Sequence, residues 1–194
     1  MILAPAVVHV AVVRGLETAG RVDRAARTAA GRDALREIAA EIVGADPADV
    51  TVRARCATCG GAHGRPVLGG SRALDGLHAS VAHAGDAVVV AVSADGPIGI
   101  DAEPRDREAP PGMTLAEWVR IEAVLKADGR GLLVDPSLVR VEGDASGMTA
   151  WIDVEPAGYR LVDVDLGSDL VVSVARRGPG ELAVRIDRPA GSDV

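Results

Sequence analysis

The sequence contains no phenylalanine, and its aromatic residues amount to only 2 % of the chain. Its hydrophobic core must therefore be built from Val, Ala, Leu and Ile. Aromatic side chains are the surfaces on which unpaired nucleic-acid bases stack. The net charge is -7 and no run of basic residues occurs, whereas a nucleic-acid binder normally carries a clustered basic patch. We therefore expect no nucleic acid among the partners.

Long hydrophobic runs are also missing, since a membrane-spanning helix needs about 20 consecutive apolar residues. The apolar segment 1–13 is shorter than that, has no basic leader and carries His9. Its pattern indicates a buried strand rather than a targeting segment. We expect a soluble, cytoplasmic protein that has no membrane partner.

Cysteine is scarce as well, and the two present, Cys56 and Cys59, are too few for a disulfide framework. Together with His63 they leave two interpretations open. One is a zinc site, although a structural zinc ion takes four ligands and no second cysteine pair exists. The other is a reduced pair of thiols in a loop, which we favour.

Lysine is almost absent, because only one of the 21 basic residues is a lysine. A general preference for arginine says little about function. The single exception, Lys126, says more, because it persists where arginine is used everywhere else in the chain. An arginine at this position would keep the positive charge but could not readily release a proton.

Hydrophobic periodicity predicts helices over about 21–43 and 114–128. Thr114 and Glu117 fit a capping box at the start of the second helix, and Gly129 is placed to end it. Residues 56–76 are predicted to form a loop. Strands are predicted at 7–13, 50–55, 77–82, 87–93, 98–102, 138–141, 149–154, 159–164, 170–174 and 181–186.

These elements place several strands around one long helix in each part of the chain. The length of 194 residues fits one large domain or two small ones. We expect an α+β protein of two similar halves in a pseudo-twofold arrangement, each with a small sheet packed on a long helix. The turn at 94–97 divides the chain into 1–95 and 96–194, and we expect the active site in the cleft between these halves.

Three acidic residues and the single lysine are spaced so that they can converge. Asp101 and Glu103 end a predicted strand and point to the same face, and Glu122 and Lys126 lie one turn apart on the following helix. Three carboxylates without His or Cys form an oxygen site that suits Mg²⁺ or Mn²⁺. Spacing alone leaves a second interpretation open, because strand-end acid pairs and surface Glu–Lys pairs are common.

Two segments of the chain resemble the signatures of one enzyme family. The segment Gly96–Glu103, GPIGIDAE, resembles the G(I/V)D(I/V)E signature of phosphopantetheinyl transferases. The segment Trp118–Lys126, WVRIEAVLK, followed by ADGRGL, is similar to the WxxKExxxK signature of that family and its trailing GxGL. Both motifs occur in the expected order and are separated by a loop.

Further segments resemble the surfactin-synthetase-activating type of this family. They are residues 64–66 (GRP), residues 82–86 (AHAGD), residues 27–31 (RTAAG) and residues 155–159 (EPAGY). The resemblance extends from about residue 20 to residue 176. It implies transfer of the 4′-phosphopantetheine arm of coenzyme A to a serine of an apo acyl or peptidyl carrier protein, with release of 3′,5′-ADP.

The resemblance also implies roles for individual residues. Asp101, Glu103 and Glu122 would hold Mg²⁺ against the pyrophosphate of coenzyme A. Glu122 would take the proton from the acceptor serine, directly or through water. Lys126 would stabilise the charge on the leaving 3′,5′-ADP. Catalysis of this kind consists mostly of positioning and electrostatics.

The remaining residues implied by the resemblance bind coenzyme A. His83 would contact the 3′-phosphate together with Arg27 and Thr28, Arg65 would contact the nucleotide end, and Lys126 would contact the phosphates. Two halves in one chain could hold the whole site between them, so we expect an active monomer.

The chain departs from the family pattern at three places. Ile121 stands where the signature has lysine, and Ala82 and Ala84 stand where serines flank the histidine. The segment 104–117 lacks the further helical segment that members usually carry. These departures keep an alternative open, a catalytically impaired homologue that binds a carrier protein or a nucleotide. A weaker alternative is a metal-dependent hydrolase acting on another phosphoanhydride.

Overall fold

The computed structural model describes residues 4–18, 21–55, 59–61, 64–144, 147–153 and 156–188. Within these ranges it contains two α helices, α1 (Arg24–Val43) and α2 (Leu115–Asp128). The strands are β1 (Ala6–Val13), β2 (Glu17–Thr18), β3 (Arg21–Val22), β4 (Thr51–Arg55), β5 (Arg65–Gly69), β6 (His78–Ala84), β7 (Ala87–Ser93), β8 (Ile98–Pro104), β9 (Val139–Asp144), β10 (Gly147–Ile152), β11 (Gly158–Asp163), β12 (Leu170–Arg177) and β13 (Leu182–Ile186). The α+β class is confirmed.

The first large sheet has the strand order β13-β1-β7-β6. The β1–β13 pair is parallel and the other pairs are antiparallel. Every residue of β7 is buried, and its side chains alternate between two clusters. Val88, Val90 and Val92 pack with residues of α1, whereas Val89 and Ala91 face the second large sheet. A continuous apolar run is typical of a strand that is covered on both faces.

The second large sheet is antiparallel throughout, with the strand order β8-β12-β11-β10-β9. Helix α2 packs on β8 and β12. The opposite face of these two strands joins a cluster with the first sheet, which includes Ile98, Ile100, Val172 and Val174. The two sheets therefore face each other, and each carries one long helix on its other side.

The edge strands β6 and β8 meet where the two sheets come together. Ser80 of β6 is buried, and its Oγ accepts a hydrogen bond of 3.0 Å from the backbone N–H of Ile100 in β8. This bond satisfies a backbone donor that no neighbouring strand reaches on that side. It fixes the position of β6 relative to β8.

Both helices end where the sequence predicts, but α1 begins at Arg24 rather than near residue 21, because Arg21–Val22 form β3. The Asp23 side chain caps α1, and Gly44 ends it in the left-handed conformation with φ 69°. Thr114 and Glu117 form the predicted capping box of α2. Gly129 ends α2 with φ 95°, a conformation that glycine adopts without steric cost.

The loop predicted for residues 56–76 is wrong in its second part. Residues Arg65–Gly69 form β5, which pairs with β4 in a separate two-stranded sheet. Pro66 is compatible with this sheet because each strand of a two-stranded sheet has a free edge. Pro66 and the glycines in and around β5 are typical of turns, so the sequence pattern does not indicate this strand.

The last strand, β13, belongs to the first sheet although its residues fall in the predicted segment 96–194. It pairs in parallel with β1, from Ala6 opposite Leu182 to Val10 opposite Ile186. The chain therefore returns from the second sheet to the first. Across the described ranges, neither helix has the length and apolar character that a membrane span requires.

Candidate functional site

Lys126 lies at the junction of the two large sheets and bonds to both. Its Nζ donates to the carbonyl oxygen of Val81 in β6 at 3.3 Å and to that of Ile100 in β8 at 3.0 Å. A third bond of 2.7 Å reaches Oδ1 of Asp101. These three bonds match the three donors of an ammonium group. The only lysine of the chain thus occupies a small pocket of oxygen atoms.

Gly99 brings α2 close enough to β8 to form this pocket. A Cβ atom on Gly99 would lie 2.1 Å from the carbonyl oxygen of Ala123 and 2.4 Å from the backbone nitrogen of Ala127. Only glycine allows such a close approach of helix and strand. The approach delivers Glu122 and Lys126 of α2 to the acidic end of β8.

Asp101 is only 5 % exposed, and its two carboxylate oxygens differ in their bonding. Oδ1 accepts the bond from Lys126, whereas Oδ2 is buried and has no hydrogen-bond partner. Burial raises the pKa of Asp101, and the charge of Lys126 opposes that shift. A buried carboxylate oxygen without a partner is costly and indicates a position that can receive a cation or a proton.

Glu122 is partly buried one turn before Lys126. Burial raises the pKa of Glu122, and the charge of Asp101 raises it further. The two carboxylates are therefore near enough to repel each other. A cation between them would relieve this repulsion.

Glu103 is held by an arginine that the sequence analysis did not select. Its Oε1 forms an ion pair with Nη1 of Arg107, and the Glu103 side chain is 12 % exposed. Burial raises the pKa of both Asp101 and Glu122, and the charge of Arg107 partly opposes this rise. Arg107 therefore lies near all three acids. It follows Glu103 by four positions, a spacing that offered a signal in the sequence.

The three acids fit a divalent cation only in part. In the described part of the chain, no three His, Cys, Asp or Glu side chains converge closely enough to hold a metal ion. Asp101 and Glu122 fit, because one has a buried oxygen without a partner and the two repel each other. Glu103 fits only when Arg107 releases it. The all-oxygen donor set suits Mg²⁺ or Mn²⁺.

A group of basic side chains lies beside the acids. The side chain of His83 on β6 is exposed, but the groups around its ring partly desolvate it, which lowers its pKa, as do the charges of Arg27, Lys126 and Arg24. Nη1 of Arg27 donates to the carbonyl oxygen of Gly85 at 2.8 Å, while its Nε is buried and has no partner. Three cations near one histidine, with a donor still unused, form a site for an anion.

Arg24 is the member of this group that the sequence analysis missed. It is the first residue of α1 and precedes Arg27 by three positions, so both side chains lie on one face of the helix. Thr28, which was predicted to help Arg27, is exposed, and its Oγ1 donates to the carbonyl oxygen of Arg24 at 2.9 Å. The hydroxyl of Thr28 is therefore bonded within the helix.

Arg65 lies farther along the same junction. Its Nη2 donates to the carbonyl oxygen of Ile98 at 3.2 Å, and burial lowers its pKa. Burial lowers the pKa of His78 on β6, and the charge of the nearby Arg65 lowers it further. Ile98 precedes Asp101 by three positions on β8, which is about 10 Å along a strand. Arg65 therefore lies on the opposite side of the Lys126 bonds from His83, because Ile98 precedes Ile100 on β8 and His78 precedes Val81 on β6.

The structure gives a reason for two departures from the family pattern. Ala82 and Ala84 are 2 % and 1 % exposed and belong to the cluster between the two sheets. His83, between them, points to the other face of β6. Ile121 packs at the edge of the cluster around α2. Apolar residues at these three positions therefore contribute to packing.

The possible zinc ligands Cys56 and His63 lie outside the described residues, as does Glu155 of the closing motif. Cys59 is described and exposed. No family model matches this chain, and a search of curated proteins finds no match. A functional interpretation therefore depends on the geometry at the sheet junction and on the two sequence motifs.

Proposed function

We propose that this protein is a Mg²⁺-dependent phosphopantetheinyl transferase of the surfactin-synthetase-activating type. It transfers the phosphopantetheine arm of coenzyme A to a serine of an apo acyl or peptidyl carrier protein and releases 3′,5′-ADP. One observation carries the proposal: the acids of β8 and α2 and the basic residues of α1 and β6 lie on either side of Lys126, which bonds to both sheets.

Coenzyme A carries a 3′-phosphate and a pyrophosphate, and the two charged regions of the site are suited to them. His83, Arg27 and Arg24 receive the 3′-phosphate, and the unused Nε of Arg27 supplies a further donor. Arg65, which the resemblance assigns to the nucleotide end, lies on the opposite side of Lys126 from these residues. The pyrophosphate then extends toward Lys126 and the acids. Arginine is the side chain best suited to the bidentate contacts that phosphates make.

The carboxylates provide the ligands for the metal. Oδ2 of Asp101 and the Glu122 carboxylate would hold it, and Glu103 would join them when it is free of Arg107. Mg²⁺, or Mn²⁺ in its place, supplies charge that neutralises the pyrophosphate oxygens. Magnesium usually completes its shell with water and substrate phosphates rather than with protein ligands alone. Two or three carboxylates therefore suffice.

Glu122 and Lys126 carry the chemical step. Glu122 accepts the proton of the acceptor serine as the general base. The serine oxygen forms a bond to the β-phosphorus in line with the bond that breaks. The electron pair of the broken bond passes to the oxygen of 3′,5′-ADP, where the Lys126 ammonium stabilises it.

The fold also supports the expectation of two related halves with the site between them. Each large sheet carries one long helix on its outer face, and the site lies where the sheets meet. We infer two related halves in a pseudo-twofold arrangement. The second half ends with β13, which pairs with β1 of the first sheet. One chain brings together both charged regions of the site, which supports an active monomer. Coenzyme A and carrier proteins are cytoplasmic substrates, so we place the protein there.

One observation favours a second candidate, a homologue that binds a carrier protein or nucleotide without turnover. Glu103 is engaged with Arg107, so the third acid is not free in this arrangement. The presence of all three acids and Lys126 supports the enzyme instead, because a binding protein has no need of all four.

Mass spectrometry of a carrier protein tests the proposed activity. Several apo acyl and peptidyl carrier proteins are incubated with this protein, coenzyme A and Mg²⁺. We expect a mass increase equal to one phosphopantetheine arm on at least one carrier, and none when Mg²⁺ is chelated. Absence of the arm on every carrier would contradict the transferase and favour the binding protein.

Binding of 3′,5′-ADP is expected to depend on pH through His83. The pKa of His83 in the free protein lies below its ordinary 6.5, and a bound phosphate raises it. Between the free and bound pKa values the complex holds the extra proton, so the affinity falls as pH rises, by at most about tenfold per pH unit. Below the free pKa this dependence disappears.

Calorimetric titrations of 3′,5′-ADP between pH 5 and 8 check this prediction. The phosphate itself also titrates with a pKa near 6, so the parent is compared with His83→Gln, which retains only the phosphate contribution. Identical pH profiles for the two proteins would show that His83 does not contact the anion.

A further inference from the structure

The turn that follows β8 holds Arg107 in a fixed place beside the acids. The backbone N–H of Arg107 donates to the carbonyl oxygen of Pro104 at 3.0 Å. Arg105, in the same turn, donates from its backbone to Asp169 at 2.8 Å and from its side chain to the carbonyl oxygens of Ser168 and Leu170 at 2.6 and 2.8 Å. The backbone of the turn is therefore tied to the beginning of β12.

The two partners of the Arg107–Glu103 ion pair differ strongly in exposure. The Arg107 side chain is 51 % exposed, whereas Glu103 is 12 % exposed. The guanidinium can move into solvent at little cost, because exposed ion pairs contribute little. The carboxylate cannot lose its partner so easily, because a desolvated charge needs another cation. Another cation can therefore take the place of Arg107 beside Glu103.

The charge balance of the cluster supports the same conclusion. The three acids exceed the charge of Lys126 by two negative charges, and Arg107 reduces this excess to one. A divalent cation that displaced Arg107 would neutralise the excess. The guanidinium would then be free, and its planar group of donors is suited to phosphate oxygens.

We propose that Arg107 is an internal counter-cation that occupies Glu103 in the free protein, is displaced when a divalent cation binds, and then contacts the pyrophosphate of the incoming substrate. This inference rests on the proposed metal site. Arg107 acts on the metal indirectly, by occupying Glu103, and is in this sense a positioning residue. It makes metal binding by the free protein weak and couples it to the arrival of the phosphates.

Mn²⁺ binding in the absence of coenzyme A tests this inference. The free Mn²⁺ concentration is measured by electron paramagnetic resonance during titration of the parent, Arg107→Gln and Arg140→Gln. The matched control, Arg140, has a 52 % exposed side chain and an ion pair with Asp153, and it lies on β9 at the other edge of the sheet. We expect Arg107→Gln to bind Mn²⁺ roughly threefold to tenfold more tightly than Arg140→Gln.

A second measurement tests the proposed contact of Arg107 with the pyrophosphate and the requirement for a cation beside Glu103. With saturating Mn²⁺, coenzyme A is expected to bind Arg107→Gln several-fold more weakly than the parent, and Arg107→Lys is expected to restore the parental Mn²⁺ affinity. Equal or weaker Mn²⁺ binding by Arg107→Gln, relative to Arg140→Gln, would overturn the inference. Thermal unfolding of each variant verifies that it is folded.

Asp101→Asn distinguishes failure of the inference from failure of the metal site. If Asp101→Asn weakens Mn²⁺ binding while Arg107→Gln leaves it unchanged, the metal site stands and the role of Arg107 is wrong. If Asp101→Asn binds Mn²⁺ as the parent does, the metal site itself is wrong and the inference falls with it.

Discussion

Replacing Glu122 by glutamine is expected to slow phosphopantetheine transfer by about a thousandfold, the middle of the range for loss of a general base. The same substitution is expected to leave the free energy of unfolding unchanged or to increase it. Glutamine keeps the shape of the side chain but can neither accept the serine proton nor carry a negative charge toward a cation. Transfer rates come from the carrier-protein assay, and stability comes from urea denaturation.

The expected gain in stability follows from the pKa of Glu122. Burial and the charge of Asp101 raise this pKa, so folding disfavours the ionised carboxylate. Above the raised pKa the Glu122 carboxyl is ionised in both the folded and the unfolded protein. The folded protein then bears the full free-energy cost of the buried negative charge. As pH falls through the raised pKa toward the unfolded value, protonation removes the cost. Glutamine removes it at every pH.

The matched control is Glu142→Gln on β9, where the glutamate is exposed. It makes the same chemical change at the far edge of the second sheet, and we expect no effect on transfer or stability. Full activity of Glu122→Gln would refute its role as the base. Loss of activity accompanied by loss of stability would point to a structural role instead.

Replacing Gly99 by alanine is expected to destabilise the protein by about 3 kcal/mol or more, because overpacking of this kind cannot be relieved by a side chain. The new Cβ would meet backbone atoms of Ala123 and Ala127 in α2 at 2.1 and 2.4 Å. Helix α2 would have to move away from β8. That movement would also carry Glu122 and Lys126 out of the site.

Urea denaturation of Gly99→Ala and Gly147→Ala measures this effect. Gly147 also lies in a strand, but a Cβ atom there would meet nothing within 4 Å. We expect Gly147→Ala to change stability by no more than about 0.5 kcal/mol. Equal stability of the two variants would show that the close approach of α2 to β8 is not obligatory.

Local sequence patterns predicted the elements that depend on nearby residues. The capping box of Thr114 and Glu117 and the terminal Gly129 define α2 because each acts within one helical turn. The alternation of strand side chains placed Asp101 and Glu103 on the same face of β8. The 3.6-residue period placed Glu122 and Lys126 on the same face of α2.

Contacts between distant parts of the chain could not be predicted in the same way. The pairing of β13 with β1 joins residues far apart in sequence, and no local pattern specifies such a partner. The hairpin partner β5 was concealed by glycines and Pro66. Arg24 and Arg107 were missed because an arginine resembles any surface charge until the fold shows which acids, carbonyls and histidines surround it.

The bonds of Lys126 have a consequence for cooperativity. One ammonium group joins carbonyl oxygens of β6 and β8, which belong to different sheets. A partial opening that separates the sheets must break the Lys126–Val81 bond and the Ser80–Ile100 bond, whereas Lys126 stays with Ile100 and Asp101 on the second sheet. Such a sub-global excursion is therefore disfavoured. We therefore expect the two sheets to unfold as one cooperative unit, so that the sheet-bonded amide protons of β6 and β8 exchange with solvent mainly through global unfolding.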